Sequence, residues 1–145
     1  MADKRPGGLT ALAVFNFIFG GFGVIIALGA LALTGLADAA VTAAEGVEGS
    51  TVEYDGPSIG VIYLYSALLL LAAGLLITSG VGYIKQKLFL GRKLGNAYAG
   101  VSLLNTVIGL AMIGGGFGIG TIIGLIYPVL TLVLLNTTFK EDLVN

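Results

Sequence analysis

The chain has 145 residues, of which 57% are hydrophobic and 10% are charged, and its net charge is −1. Soluble domains carry about a quarter charged residues, so this composition excludes a water-soluble globular domain and favours a protein whose solvent is lipid. The absence of Cys and His excludes disulfides and thiolate metal sites, and it removes the commonest general base and metal ligand.

The first long apolar stretch follows a short polar head. Residues 6–37 contain no charged side chain, and a membrane span requires about 20 residues. We therefore predict a first transmembrane helix over residues 9–33. The alternative is a cleaved signal peptide, because Lys4 and Arg5 precede the stretch and residues 37–39 resemble a cleavage site. The stretch is much longer than the apolar core of a signal peptide, which is about 7–15 residues.

Residues 38–57 form the only sizeable polar segment before the chain becomes apolar again. This segment contains acidic residues and no basic residue, and its glycines indicate a loop. Residues 37–45 are rich in alanine and could add a helical turn or two to the first span. The carboxylates do not have the spacing of a calcium-binding loop, so we interpret the segment as a solvated acidic loop on the outer face of the membrane. Its acidic residues are Asp38, Glu45, Glu48, Glu53 and Asp55.

Three further spans follow from the remaining apolar runs. The second is predicted over residues 58–83 and is followed by a basic inner loop at residues 85–93. Residues 94–139 carry no charge, and this length accommodates two spans of about 20 residues and a tight turn. We predict these spans at residues 95–113 and 119–138, with the turn within residues 114–118, where successive glycines break a helix.

The distribution of charge predicts how the chain crosses the membrane. The head, the basic loop and the C-terminal tail hold all seven basic residues and have a net charge of +4, whereas the acidic loop has a net charge of −5. Lys and Arg near span ends are retained in the cytoplasm. The predicted fold class is therefore an all-α membrane protein, with four transmembrane helices in a compact bundle and both termini cytoplasmic.

A stripe of small residues marks the fourth span. Gly116, Gly120, Gly124 and Pro128 recur every four residues, which places them on one helix face. Glycines with this spacing form a shallow groove that another helix can approach closely. Pro128 cannot donate a hydrogen bond to the Gly124 carbonyl, so the helix is expected to bend there. The stripe could bind a partner helix, act as a hinge, or pack against the chain's own first or second span.

The notable polar side chains within the spans are Asn16 and Asn105. An amide in the membrane requires a partner, and a hydrogen bond between helices contributes about 0.6–2 kcal/mol. A ligand site at these residues is the alternative.

No Asp, Glu, Lys, Arg or His lies in any predicted span, and this argues against proton-coupled transport. No base is placed to activate a Ser or Thr, so we predict no enzymatic activity, no cofactor, no metal site and no nucleic-acid partner.

The start of the chain carries a motif. Residues 5–13 have the sequence Arg-Pro-Gly-Gly-Leu-Thr-Ala-Leu-Ala, and they lead directly into a helix with Asn16 and a Gly20-Gly21 pair. This start resembles that of small bacterial multi-span membrane proteins, of uncharacterised function, that begin Arg-Pro-x-Gly-[Val/Leu]-Thr-x-Leu-Ala. The resemblance covers about twenty residues, and it implies a location in the bacterial inner membrane without implying an activity.

Two functions fit these observations. The first is a structural or accessory subunit that lies in the lipid bilayer and packs with a larger membrane protein or with copies of itself. The second is a small channel or facilitator without proton coupling, lined by Asn16, Asn105, Tyr127 and the glycines. Isolation in mild detergent distinguishes them by showing whether the protein occurs alone, as a ring or with a larger partner.

Overall fold

The computed structural model describes residues 6–47, 49, 55–114 and 116–144. This part of the chain is helical almost throughout and contains no β-strand beyond one isolated bridge. All four α-helices are long and apolar enough to cross a membrane, which confirms the prediction of an all-helical chain with four membrane-length helices. They are α1 (Gly7–Glu45), α2 (Ile59–Ile84), α3 (Leu94–Met112) and α4 (Ile119–Asn136).

The helix bounds differ from the predicted spans chiefly at α1. The other three helices begin and end within two residues of the predicted positions. The predicted head at residues 1–5 and the centre of the predicted acidic loop at residues 50–54 lie outside the described residues. Glu48, Gly115 and Asn145 lie outside them as well.

Helix α1 continues without a break through the first part of the predicted acidic loop. It has 39 residues and is therefore about 58 Å long. Residues 37–44 are rich in alanine, the strongest helix former. The Thr42 hydroxyl donates to the Asp38 carbonyl at 2.9 Å, so this polar side chain is satisfied within the helix. Asp38 and Glu45 consequently lie on an extension of α1, and the loop between α1 and α2 is shorter than predicted.

The end of α2 is defined by a Schellman motif. The Gln86 N–H donates to the Tyr83 carbonyl at 3.3 Å, and the Lys87 N–H donates to the Gly82 carbonyl at 2.9 Å. This pair of bonds requires a left-handed residue just after the helix, a position that glycine usually occupies. Here Gln86 takes that conformation, with φ 50°. The chain therefore turns sharply at the start of the predicted basic loop.

The predicted basic loop is an ordered helical segment over most of its length. Leu88–Lys93 forms a π-helix that leads directly into α3. Its Gly91 lies against Gly82 of α2 so closely that a Cβ on Gly82 would be 2.1 Å from the Gly91 nitrogen. The backbones of α2 and the π-helix are thus in direct contact, and glycine is required at residue 82.

The C-terminal tail folds back onto the same segment. The Leu88 N–H donates to the Val144 carbonyl at 2.7 Å, and the Val144 N–H donates to the Gln86 carbonyl at 3.0 Å. Phe139 and Leu143 are buried, and a Cβ on Gly8 would be 2.6 Å from the Phe139 ring. The start of α1, the π-helix and the tail therefore meet at one end of the bundle. We call this end the basic end, and the end that carries Glu45 and Asp55 the acidic end.

Consecutive helices pack side by side, and α1 and α2 form the most intimate pair. A Cβ on Gly20 would lie 2.6 Å from Ile77 Cγ1 and 3.2 Å from the Ala73 carbonyl oxygen, and a Cβ on Gly23 would lie 3.0 Å from Ala73 Cβ. On α2, Gly80 lies against Phe17. Without a hydrophobic driving force between helices in lipid, such close approach supplies the packing energy.

The contact between Gly82 and Gly91 predicts a large effect of a single methyl group. In Gly82→Ala the new Cβ would meet backbone atoms of the π-helix, which cannot rotate away as a side chain can, so α2 and the segment must separate. We expect a loss of about 2 kcal/mol or more, typical of severe overpacking, measured as a lower thermal unfolding midpoint in mild detergent. The control is Gly74→Ala on α2, where the added Cβ has no neighbour within 4 Å. An unchanged midpoint for Gly82→Ala would contradict the backbone contact.

Candidate functional site

A chain of hydrogen bonds joins three helices in the middle of the bundle. Asn16 lies on α1 nine residues after Gly7, about 14 Å along the helix, which is about half the thickness of a bilayer's hydrocarbon core. Its Nδ2 donates to Ser79 Oγ of α2 at 2.8 Å, and its Oδ1 accepts from the Tyr127 hydroxyl of α4. Ser79 and Asn16 have no exposed surface. In this arrangement Asn16 ties α1 to both α2 and α4.

Aromatic contacts hold the ring of Tyr127 in place at the same height in the bundle as the hydrogen bonds of Asn16. Phe19 of α1 meets it edge to face, with ring centroids 4.9 Å apart, and Tyr98 of α3 lies 6.2 Å from it. Edge-to-face geometry is a favourable arrangement for aromatic rings. The ring of Tyr127 therefore contacts α1 and α3, and its hydroxyl binds Asn16. Tyr127 thus lies at the centre of the bundle, between these helices.

The half of the bundle between this level and the basic end has a buried core, and an apolar groove of about 320 Å³ runs between α1 and α4 along its outer side. Its buried side chains come from α1, α2, α4 and the tail. Helix α3 reaches the same region at Gly95, where a Cβ would lie 2.5 Å from both Leu135 Cδ1 and the Tyr83 hydroxyl oxygen. The buried cluster consists of Leu9, Leu12, Ala13, Tyr83, Leu135, Phe139 and Leu143.

The half between Tyr127 and the acidic end contains two cavities between the helices, and we call it the hollow half. Helix α4 has no buried residue before Pro128, and Ile122, Ile123 and Ile126 are all exposed. A cavity of about 250 Å³ lies there between all four helices, and a second of about 170 Å³ lies between α2, α3 and α4. The walls are largely apolar, with the side chains of Tyr98, Ser102 and Tyr127 at the larger cavity and those of Tyr65, Thr106 and Thr121 at the smaller one.

The glycine stripe of α4 begins in the hollow half, at the cavities, and ends at Pro128, where the buried residues of α4 begin. Pro128 is buried, and the Gly124 carbonyl that it leaves without a helical partner lies 3.3 Å from Thr106 Oγ1 of α3. A Cβ on Gly124 would lie 2.9 Å from the same oxygen. This part of the stripe packs within the chain, but the contact is made by α3 rather than by the first or second span named in the sequence analysis.

The other end of the stripe is open. Gly120 is exposed and lines both cavities. Apart from its own helix backbone and chain neighbours, no atom of the described residues lies within 4 Å of a Cβ built on it. Gly116 lies in the loop before α4 rather than on the helix, because the helix begins only at Ile119 after a run of glycines that disfavours helical backbone. The single helical face predicted for four residues thus includes Gly120, Gly124 and Pro128.

Asn105 differs from Asn16 although both are buried amides within spans. Its Oδ1 has no hydrogen-bond partner in the part of the chain that the structure describes, and only 5% of its surface is exposed. The hydroxyl oxygens of Ser66 and Tyr83 are also buried without a partner there. An unpaired buried polar group costs free energy, so Asn105 does not tie helices together as Asn16 does.

The residues that bring α1 close to α2 were not predicted. Gly20 and Gly23 face α2, and with the buried Ala27 they recur at intervals of three and four residues, which puts them on one helix face. This is the same kind of signal that singled out α4. Two further residues were not predicted: Ser79, whose partner lies 63 residues away, and Thr106, whose role depends on the carbonyl freed by Pro128. Spacing within one helix could have found the first set but not these partners on other helices.

Substitutions of the two buried amides are expected to differ in their effect on the stability of the protein. Asn16→Leu removes both hydrogen bonds and leaves the Tyr127 hydroxyl without its acceptor, so we expect a loss of about 1–3 kcal/mol in stability. Asn105→Leu keeps a similar volume and removes an unpaired oxygen, so we expect no loss. Thermal unfolding in mild detergent measures both. Equal destabilisation by the two variants would contradict the distinction between the two amides.

Comparison of the chain with protein-family models, with curated proteins and with solved structures finds no match to any of them.

Proposed function

We propose that the chain is an accessory subunit of a membrane complex and that it binds a transmembrane helix of another membrane protein in the hollow half of the bundle, along α1 and α4. The observation that carries this proposal is the open position of Gly120, which borders two cavities and has space for an incoming side chain. The stripe on α4 then has one end packed against α3 and another end that accepts the partner.

The composition of the cavity supports a helix as the occupant. Its walls include the small residues Gly23, Ala72, Ala73 and Gly120, which allow another backbone to approach closely. A bulky apolar side chain on the partner would gain dispersion contacts in the cavity that flexible lipid tails make less fully. Large apolar residues at the rim, such as Phe22, Ile26 and Ile123, are exposed and would pack against the partner's flanks.

The alternative of a small channel or facilitator has less support. Its proposed lining included Asn16 and Tyr127, and these side chains are bound to each other across the bundle. Asn16 has no exposed surface. A permeating solute would have to break this hydrogen bond and then pass the buried cluster of the basic half.

We further propose that the protein resides in the bacterial inner membrane, with both termini in the cytoplasm, and that it has no catalytic role. The placement of all seven basic residues at one end of the predicted topology supports the orientation. The resemblance of residues 5–13 to small bacterial inner-membrane proteins supports the location. The lack of His and Cys in the sequence supports the absence of catalysis.

A leucine at Gly120 provides the central test. Gly120→Leu should leave the thermal stability of the monomer unchanged, because its side chain has space, but it should block the partner and abolish co-purification from mild detergent. The matched control is Gly100→Leu on α3, another exposed glycine with no neighbour within 4 Å of its Cβ, which should preserve co-purification. If an oligomer of the chain itself is lost instead, the occupant is a second copy. If assembly is unchanged, the docking proposal is wrong.

Gly124→Leu should have the contrasting effect on stability. Its Cβ would lie 2.9 Å from Thr106 Oγ1, so the substitution forces α3 and α4 apart within the chain. We expect overpacking to cost about 1–3 kcal/mol, seen as a lower unfolding midpoint in the same detergent. A midpoint equal to that of Gly120→Leu would contradict the division of the stripe into a packed end and an open end.

The orientation can be tested independently of any partner. Reporters fused after Lys93 and after Asn145 should indicate the cytoplasm, and a reporter inserted near Ser50 should indicate the outside, because all basic residues then remain on one side. A cytoplasmic signal from the reporter near Ser50 would contradict the four-span orientation.

A further inference from the structure

The basic end carries a group of lysines whose ammonium groups form no hydrogen bond or ion pair within the described residues. Lys85, Lys87 and Lys93 are exposed, and none forms an ion pair with a carboxylate of the described residues, although Glu141 and Asp142 lie on the neighbouring tail. Arg92 differs, since its Nε and Nη2 both donate to Asn136 Oδ1 of α4 at 3.2 Å. The arginine therefore stabilises the packing, and the three lysines remain available to an external anion.

These lysines project from a backbone that is fixed on several sides. The π-helix is in direct backbone contact with α2 at Gly82 and Gly91. The tail binds Leu88 and Gln86 through Val144. A ligand that binds the lysines would therefore not have to order the segment first, and less binding free energy is lost in that step.

An apolar group lies next to the charges. The Phe89 side chain is 60% exposed, and Lys93 Nζ lies 5.7 Å from the centre of its ring. A surface depression of about 420 Å³ is lined by Lys85, Lys87 and residues 88–90. The site therefore combines cationic donors with an exposed aromatic ring at the point where α2 ends, the level at which a membrane span meets the lipid headgroups.

We propose that this surface binds the phosphate headgroup of an anionic phospholipid. The lysine ammonium groups donate to the phosphate oxygens, and Phe89 inserts among the upper parts of the acyl chains. A lipid fits better than free inorganic phosphate because the latter has no group for the exposed ring. The site consists of Lys85, Lys87, Phe89 and Lys93, and we call it the lysine surface. It is separate from the proposed helix-binding cavity, so either proposal can fail without the other.

The test compares two lipids with identical acyl chains on the purified full chain. Native mass spectrometry should show phosphatidylglycerol bound about tenfold more tightly than phosphatidylcholine, because several lysines near the surface attract anionic lipid. The triple substitution Lys85→Gln, Lys87→Gln and Lys93→Gln should reduce this preference to less than about twofold, while the triple substitution of the same lysines by arginine should retain it. Phe89→Ser should weaken phosphatidylglycerol binding severalfold.

Two controls separate the site from general effects of charge. Lys140→Gln removes an exposed lysine of the same end but outside the surface, and it should leave the preference unchanged. Unfolding midpoints of the glutamine and wild-type proteins should agree, since the lysines make no packing contact that the fold requires. The proposal is overturned if the glutamine variant keeps the preference, if wild type binds both lipids equally, or if Lys140→Gln alone abolishes it. It is overturned equally if millimolar inorganic phosphate displaces the lipid.

Discussion

The structure depends on the close approach of helix backbones at a few glycines. Apolar side chains gain little from leaving lipid for another helix, so helix association in a membrane relies on dispersion contacts and hydrogen bonds. Gly20 and Gly23 bring α1 against Ala73 of α2, and Gly82 brings α2 against Gly91 of the π-helix. Only with α1 seated in this way can the amide of Asn16 reach Ser79 and Tyr127. The central hydrogen bonds are thus a consequence of the glycine contacts.

The two halves of the bundle differ in how their interiors are occupied. In the basic half large side chains such as Tyr83 and Phe139 belong to a buried cluster, and the remaining groove of about 320 Å³ lies on the outer side between α1 and α4. In the acidic half α4 has no buried residue before Pro128, and cavities remain between the helices. The change occurs at Pro128, where the Gly124 carbonyl turns to Thr106 of α3. Helix α4 has 18 residues against 39 in α1, about 27 Å against about 58 Å, so α1 extends well beyond the length that α4 could cover.

The sequence was sufficient to predict the four helices, because an uncharged apolar run long enough to cross a bilayer is rarely anything but a transmembrane helix. It was insufficient where the outcome depends on neighbours distant in sequence. The left-handed conformation of Gln86 follows from the tail and π-helix packed beside it, and no local propensity favours it. The stripe on α4 had the right spacing at Gly120 and Gly124, yet spacing could not indicate that Thr106 would occupy one position and a cavity the other. The alanine content of residues 37–45 already indicated a possible helical turn or two, and α1 does continue through these residues to Glu45.

The direction from which a partner could enter the hollow half follows from the contacts around it. The sides between consecutive helices are held by Gly20 and Ala73 for α1 and α2, by Gly109 and Tyr65 for α2 and α3, and by Thr106 and Gly124 for α3 and α4. Between α1 and α4 the described contacts are at the level of Tyr127 and in the buried cluster of the basic half, and an apolar groove of about 320 Å³ separates the outer sides of the two helices in that half. Entry between α1 and α4 in the acidic half would therefore break none of these contacts. That side faces lipid, so a group entering there would come from within the membrane, and this geometry favours a transmembrane helix over a solute from the aqueous phase as the occupant.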